Sequence, residues 1–156
     1  MLQAETPAIT ERRLKLELRL AQIEEMKGCR ENFLFYVKKM WPEFIGGAHH
    51  SMIAKKFEDI ANGKNKRLII NMPPRHTKSE FASYLFPSWI IGRAPKTKII
   101  QTTHTAELAV NFGRKVRNLL ATEEFGTIFE NVELQADSKA AGRWSTNHGG
   151  EYFAAG

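Results

Sequence analysis

Apolar residues recur along this chain at two different spacings, and the change falls near residue 67. Before that point the spacing is helical. Leu14, Leu18, Leu20, Ile23 and Met26 form a stripe that predicts a helix from Thr10, a suitable N-cap, to Lys27, with Gly28 as its stop. Glu, Lys and Arg fill the other face, which reads as solvated. Residues 1–9 read as a loose arm. Phe33, Leu34, Tyr36, Val37, Met40 and Trp41 predict a second helix over 31–41. Pro42 ends it, because proline keeps the preceding residue out of helical geometry. After Gly46-Gly47, His49 and His50 open a third helix, with Ile53, Phe57 and Ile60 on its buried face and Gly63 as its stop.

From Arg67 the period shortens. Arg67 to Met72 is a short apolar run between a basic turn and Pro73-Pro74, which predicts a buried strand. A helix from about Lys78 to Ile91 follows, broken by Gly92 and Pro95. Lys98 to Thr103 predicts a second strand, and Ala106 to Leu120 a long helix with Leu108, Val110, Phe112, Val116 and Leu119 apolar. Trp144 to Thr146 and Glu151 to Ala155 predict two more strands around Asn147-His148-Gly149-Gly150. Strand, helix, strand, helix is the pattern of an α/β fold with a parallel sheet and right-handed crossovers. The organisation expected is an arm and helix over residues 1–30 and an α/β domain over 31–156.

Composition sharpens this only a little. With 42% hydrophobic and 26% charged residues, the chain has the apolar material for a core and is not the composition of a disordered segment. Its net charge of +6 favours acidic partners such as nucleotides or nucleic acid. Cys29 is the single cysteine, so an intrachain disulfide is excluded, and no Cys/His cluster has zinc spacing. No apolar stretch approaches the ~20 residues that span a bilayer, and no apolar signal core opens the chain. A protein without membrane contact in a reducing cytoplasm is the expectation.

The chemistry concentrates after the first predicted strand. Ile69-Ile70-Asn71-Met72-Pro73-Pro74-Arg75-His76-Thr77-Lys78-Ser79 runs strand, tight loop, helix start. That is the setting of a phosphate-binding loop: loop and helix N-terminal amides face an anion, and the helix dipole favours it. Lys78 would reach phosphoryl oxygens, and the Ser79 hydroxyl would ligate Mg²⁺. The standard G-x-x-x-x-G-K-[ST] pattern fails at two positions, held here by Met72 and Thr77. The plain alternative is that Lys78-Ser79 begins an ordinary surface helix. Thr102, Thr103 and His104 end the second strand, where α/β sheets bind ligands, although a strand-to-helix turn capped by Thr105 accounts for them equally.

The segment from Leu68 to Glu80 resembles the deviant Walker A region of phage terminase large subunits, in which Gly-Lys-Ser follows the Pro-Pro-Arg-His run. Phe86-Pro87-Ser88-Trp89, Gly92-Arg93-Ala94-Pro95, Lys98 to Ala109 and Phe112 to Arg117 are similar to the family's following helices and strand, and Trp41-Pro42-Glu43-Phe44 with His49-His50 to the segment before its loop. The resemblance covers about residues 33–156. It implies a P-loop NTPase-like parallel sheet core preceded by a helical segment, with the sheet incomplete at the C-terminus.

Further expectations follow from the resemblance. The cofactors are ATP and Mg²⁺. Pro73, Pro74, Arg75, His76, Thr77, Lys78 and Ser79 would bind the nucleotide, with His49 and His50 at the adenine edge. Arg75 and Lys78 would be catalytic, Arg75 sensing or stabilising the γ-phosphate through a planar, permanently charged guanidinium. His49 and His50 serve equally well as capping or surface residues, and His76 as a loop residue. The work implied is ATP-driven translocation of double-stranded DNA into a procapsid, with portal protein and small terminase subunit as partners and a homo-oligomeric ring in the complete motor. No apolar strand here ends in the Walker B aspartate, and the nuclease domain is missing, so the chain resembles an N-terminal part of that ATPase with weak or no turnover by itself. Two alternatives remain: an inactive, shortened module that binds DNA or regulates packaging, and another helicase-like P-loop NTPase.

Overall fold

The structure, a computed structural model, describes residues 7–137 and 140–156. The first helix, α1, spans Pro7–Glu31 and is longer at both ends than the sequence predicts. Thr10 lies inside it and is not its N-cap, and residues 7–9 of the expected arm are helical. Residues 1–6 of that arm lie outside the described residues. Gly28 does not stop the helix either. A Cβ there would sit 3.1 Å from the Phe35 ring, so the glycine accommodates a neighbour. The stop falls at Asn32, whose side chain accepts the Phe35 amide and caps α2, Phe33–Met40. Leu14, Leu16, Leu18, Leu20 and Ile23 of α1 are all exposed; the helix enters the core only from Met26 and Cys29.

Helix α3 spans Ala48–Ala61 and stops, as predicted, at Gly63, which has φ 72°. The residues after it depart from expectation. Arg67 to Met72 form no strand. Leu68 and Ile70 pack on the core while Ile69 is 86% exposed, so the side chains alternate without a backbone ladder. A strand exists through a neighbour's amides and carbonyls, and no described strand pairs with this segment. The strand predicted to open the parallel sheet is therefore not formed.

Helical structure resumes at Lys78, passes through a π-helical segment, Glu80–Leu85, and continues as α4, Phe86–Arg93. Gly92 does not break this helix. It lies under Phe129, where a Cβ would stand 2.4 Å from the ring, so close packing explains the glycine. Next come β1, Lys98–Thr102, and α5, Ala106–Leu120, with the predicted Thr105 cap receiving the Leu108 amide. Helix α6, Glu123–Ile128, precedes the hairpin of β2, Arg143–Ser145, and β3, Glu151–Ala155. The sheet order is β1-β3-β2, with β1 parallel to β3 and β2 antiparallel to it. The fold is mixed α/β with a small mixed sheet. Among the described residues no helix is long and apolar enough to cross a membrane.

The core is aromatic. Phe33 of α2 stands edge-on to Phe57, Phe81 and Phe86, with centroids 5.5 to 5.7 Å away, and tilts against Trp89 at 5.3 Å. Trp144 and Tyr152 stack at 4.8 Å across the β2–β3 pair, and the Trp144 indole donates to Gly113 O of α5 at 3.1 Å. Polar atoms carried inside are paired. Ser88 Oγ donates to Leu85 O, which leaves Tyr36 to donate its phenolic proton to Ser88 Oγ at 2.7 Å. Burial accordingly pushes the Tyr36 hydroxyl far above the usual phenol range.

Candidate phosphate-binding loop

Pro73 and Pro74 have fixed φ and no amide to donate, so the chain leaves its extended course there. Arg75 and Thr77 then adopt left-handed backbone, φ 63° and 58°. For a β-branched residue such as Thr77 this is strained by about 1–2 kcal/mol. The strained turn aims the start of the following helix into a recess of about 300 Å³ lined by Arg75 to Glu80. Among the described residues no acceptor meets the amides of Thr77, Lys78 and Ser79. Successive free amides in a left-handed turn at a helix start form a concave anion cradle.

The side chains fit the same chemistry. Arg75 is exposed and has no hydrogen-bond or ion-pair partner among the described residues. Lys78 folds back on its own loop, donating to Met72 O at 3.2 Å, a contact that an incoming anion would replace. Ser79, exposed on the first turn, offers a single hydroxyl, and Mg²⁺ bound to phosphates takes only one or two protein ligands. Among the described residues no group of three or more His, Cys, Asp or Glu is placed to hold a metal ion by itself. Glu80 is the carboxylate of the recess, and Lys115 of α5 holds it at 3.1 Å. The π-helical segment starting at Glu80 lies directly behind the loop, a position where such segments often mark function.

The structure brings one unforeseen partner to the loop. His50, buried in the first turn of α3, accepts the Gly47 amide at Nδ1 over 2.9 Å, which caps its own helix. That bond requires an unprotonated Nδ1, so the proton of the neutral ring sits on Nε2. Nε2 faces Thr77 Oγ1 at 2.7 Å, and Thr77 Oγ1 donates to His76 O at 2.7 Å. A directional relay thus runs from imidazole to hydroxyl to loop carbonyl, holding the strained Thr77 in place. His50 and Thr77 are 27 residues apart, beyond any helical or strand period, and the pairing leaves no mark in the sequence. His76 donates to Pro74 O at 2.9 Å and is a loop brace. His49 is exposed, its ring tilted by 42° against that of His50 at 3.8 Å and 6.2 Å from that of His76.

His49 also lines a second recess of about 300 Å³ with Ile53, Leu68, Ile70 and Met72, and its ring stands 6.2 Å from that of His76, which lines the first. Together they offer a cationic, amide-rich end and an apolar end. Thr102, Thr103 and His104 line neither recess. Thr103 Oγ1 donates to Thr105 O at 2.7 Å, a turn-bracing role.

The relay gives a pH dependence. Burial first, then the neighbouring His49 and His76, pulls His50 below the ordinary value of 6.5. The unfolded chain therefore takes up this proton at a higher pH than the folded one. The stability conferred by the neutral ring is complete above pH 6.5 and is lost as pH falls through the lower folded value. The urea midpoint should decline on acidification below about pH 6.5, and His50→Gln should lack that part of the decline. Identical pH profiles for the two proteins would contradict the relay.

No protein-family model matches the chain, and no curated protein or solved structure matches it.

Proposed function

We propose that this chain is a nucleotide-binding part of a phage terminase large subunit, the ATPase that drives double-stranded DNA into a procapsid. In this reading it works in the host cytoplasm, docked on the procapsid with portal protein and small terminase subunit, and its core is the beginning of a P-loop NTPase sheet. The observation that carries the reading is the recess of Arg75 to Glu80, where free helix-start amides, two cations and the Ser79 hydroxyl converge. ATP supplies the triphosphate and Mg²⁺ the charge neutralisation between phosphates. Lys78 and Arg75 bind phosphoryl oxygens, the amides of Thr77 to Ser79 orient them, and the apolar recess beside His49 receives the base. Turnover is expected to be weak, since Glu80 is engaged by Lys115 and no other carboxylate among the described residues lines the recess.

Isothermal calorimetry with ATP-Mg²⁺ at low salt tests this. Saturable binding of one nucleotide per chain, with little phosphate release, is the expected result. One observation favours a second reading, a non-catalytic terminase-like module: Thr77 holds a strained φ of 58° at a position where glycine would be relaxed. No heat with ATP-Mg²⁺, while duplex DNA still binds, would favour that module and refute the nucleotide site.

A further inference from the structure

The positive charge of this chain is not spread over it. Residues 55–98 carry ten lysines and arginines against three acids, a net +7, and the rest of the chain is net −1. Two of the ten, Arg75 and Lys78, belong to the phosphate loop. Six of the others sit at two turns: Lys64, Lys66 and Arg67 after α3, and Arg93, Lys96 and Lys98 from the end of α4 to the start of β1. All six are exposed.

The fold puts these turns side by side. Arg93 donates to Asn62 Oδ1 at 3.0 Å, and Ala61 and Arg93 line the same open cavity of about 620 Å³. Each turn is rigid. Lys64 and Asn65 give their amides to Asp59 O, Arg67 gives its amide to Asn65 Oδ1, Thr97 gives its amide to Ala94 O, and the Arg93 guanidinium lies 4.5 Å over Trp89. The nearby acids are engaged: Glu58 accepts the Phe33 amide, Asp59 faces Lys56 at 4.0 Å, and Glu151 faces Lys98 at 3.8 Å. Lys64, Lys66, Arg67 and Lys96 have no carboxylate partner among the described residues.

We infer that these two turns form a contact surface for the phosphate backbone of duplex DNA. Unpaired, exposed cations on a braced scaffold suit a polyanion with regularly spaced charges, whose condensed counterions are released on contact. The choice of a duplex follows from what the turns lack. Neither turn carries an aromatic residue, and Trp89 beneath Arg93 is fully buried, so the turns themselves offer no stacking platform for splayed bases. Contact with phosphates alone leaves recognition independent of sequence. The inference rests on the proposed function for its partner, but its residues are separate from the nucleotide recess.

The test is fluorescence anisotropy with a random-sequence DNA duplex, titrated with the full chain from about 50 to 200 mM salt. In the variant K64Q/K66Q/R67Q/K96Q, the salt slope should fall by roughly 3 to 4, near 0.9 for each phosphate that the protein no longer neutralises. Affinity should drop by at least about tenfold at low salt for every duplex sequence. ATP-Mg²⁺ binding by calorimetry should be unchanged in the variant, which separates this inference from the nucleotide reading. The control R12Q/R13Q/K15Q on α1 should retain the wild-type slope. An unchanged slope in the turn variant, or an equal reduction in the control, would overturn the assignment to these turns. Tighter binding of single-stranded DNA or double-stranded RNA than of duplex DNA would overturn the assignment to duplex DNA. Single reversals, Lys64→Glu and Lys96→Glu, keep the test decisive if the quadruple variant fails to fold.

Discussion

Lys78→Ala should weaken ATP-Mg²⁺ binding by roughly 10- to 100-fold, because it removes a charge-assisted hydrogen bond worth about 1.5–3 kcal/mol. The effect should be confined to binding. Lys78 is half-buried, and its one hydrogen bond among the described residues goes to Met72 O, a carbonyl of the loop itself. Its removal leaves no buried charge behind, so the urea midpoint should hardly move. Calorimetry on the two proteins reads the first quantity and urea denaturation the second. Thr77→Gly is the useful companion. It relaxes about 1–2 kcal/mol of backbone strain but gives up the His50 hydrogen bond, worth about 0.5–1.5 kcal/mol, and adds glycine's entropy of about 0.5–1 kcal/mol. These nearly cancel, so the unfolding free energy should stay within about 1 kcal/mol of wild type. Equal nucleotide binding by wild type and Lys78→Ala would remove the loop from the binding site altogether.

The largest drop in stability is expected at Trp89→Ala. Trp89 is fully buried at the centre of the helical layer, in ring contact with Phe33 and Phe86. Its indole N–H donates to Cys29 O at 2.8 Å, which fastens α4 to the last turn of α1. Truncation removes the ring, opens a cavity and strands that carbonyl. Large-to-small core changes of this kind cost about 3–5 kcal/mol, a large share of the roughly 5–15 kcal/mol total stability usual for one domain. For a chain of this size that lowers Tm by roughly 10–15 °C. Trp89→Phe keeps most of the apolar surface and gives up the hydrogen bond, so it should cost about 1–3 kcal/mol. Thermal and urea unfolding followed by far-UV circular dichroism measure both. A change under about 1 kcal/mol for Trp89→Ala would mean that α1 and α4 are not held together through this indole.

Helices bounded by local chemistry were legible from the chain. Pro42, Gly63 and Thr105 each act on their own few residues, so α2, α3 and α5 begin or end close to where the pattern places them. The turn and helix start at the candidate loop were legible for the same reason: Pro73-Pro74 and Lys78-Ser79 act locally. Thr10, Gly28 and Gly92 misled for the opposite reason. A Thr caps only if the helix begins there, and a glycine inside a helix can answer to a distant ring, Phe35 for Gly28 and Phe129 for Gly92.

The sequence by itself determined the alternation of apolar and polar positions, the local starts and stops, and the crowding of cations into residues 55–98. These depend on neighbours within a turn or on simple counting. Only the tertiary structure decided that residues 67–72 stay outside the sheet, because strand pairing is a property of two segments. It also decided that His50 reaches across 27 residues to hold Thr77, and that Asn62 and Arg93 bring two basic turns together. Each is a contact between side chains far apart in sequence, and such contacts acquire a geometry only once the aromatic core has packed the helices against one another.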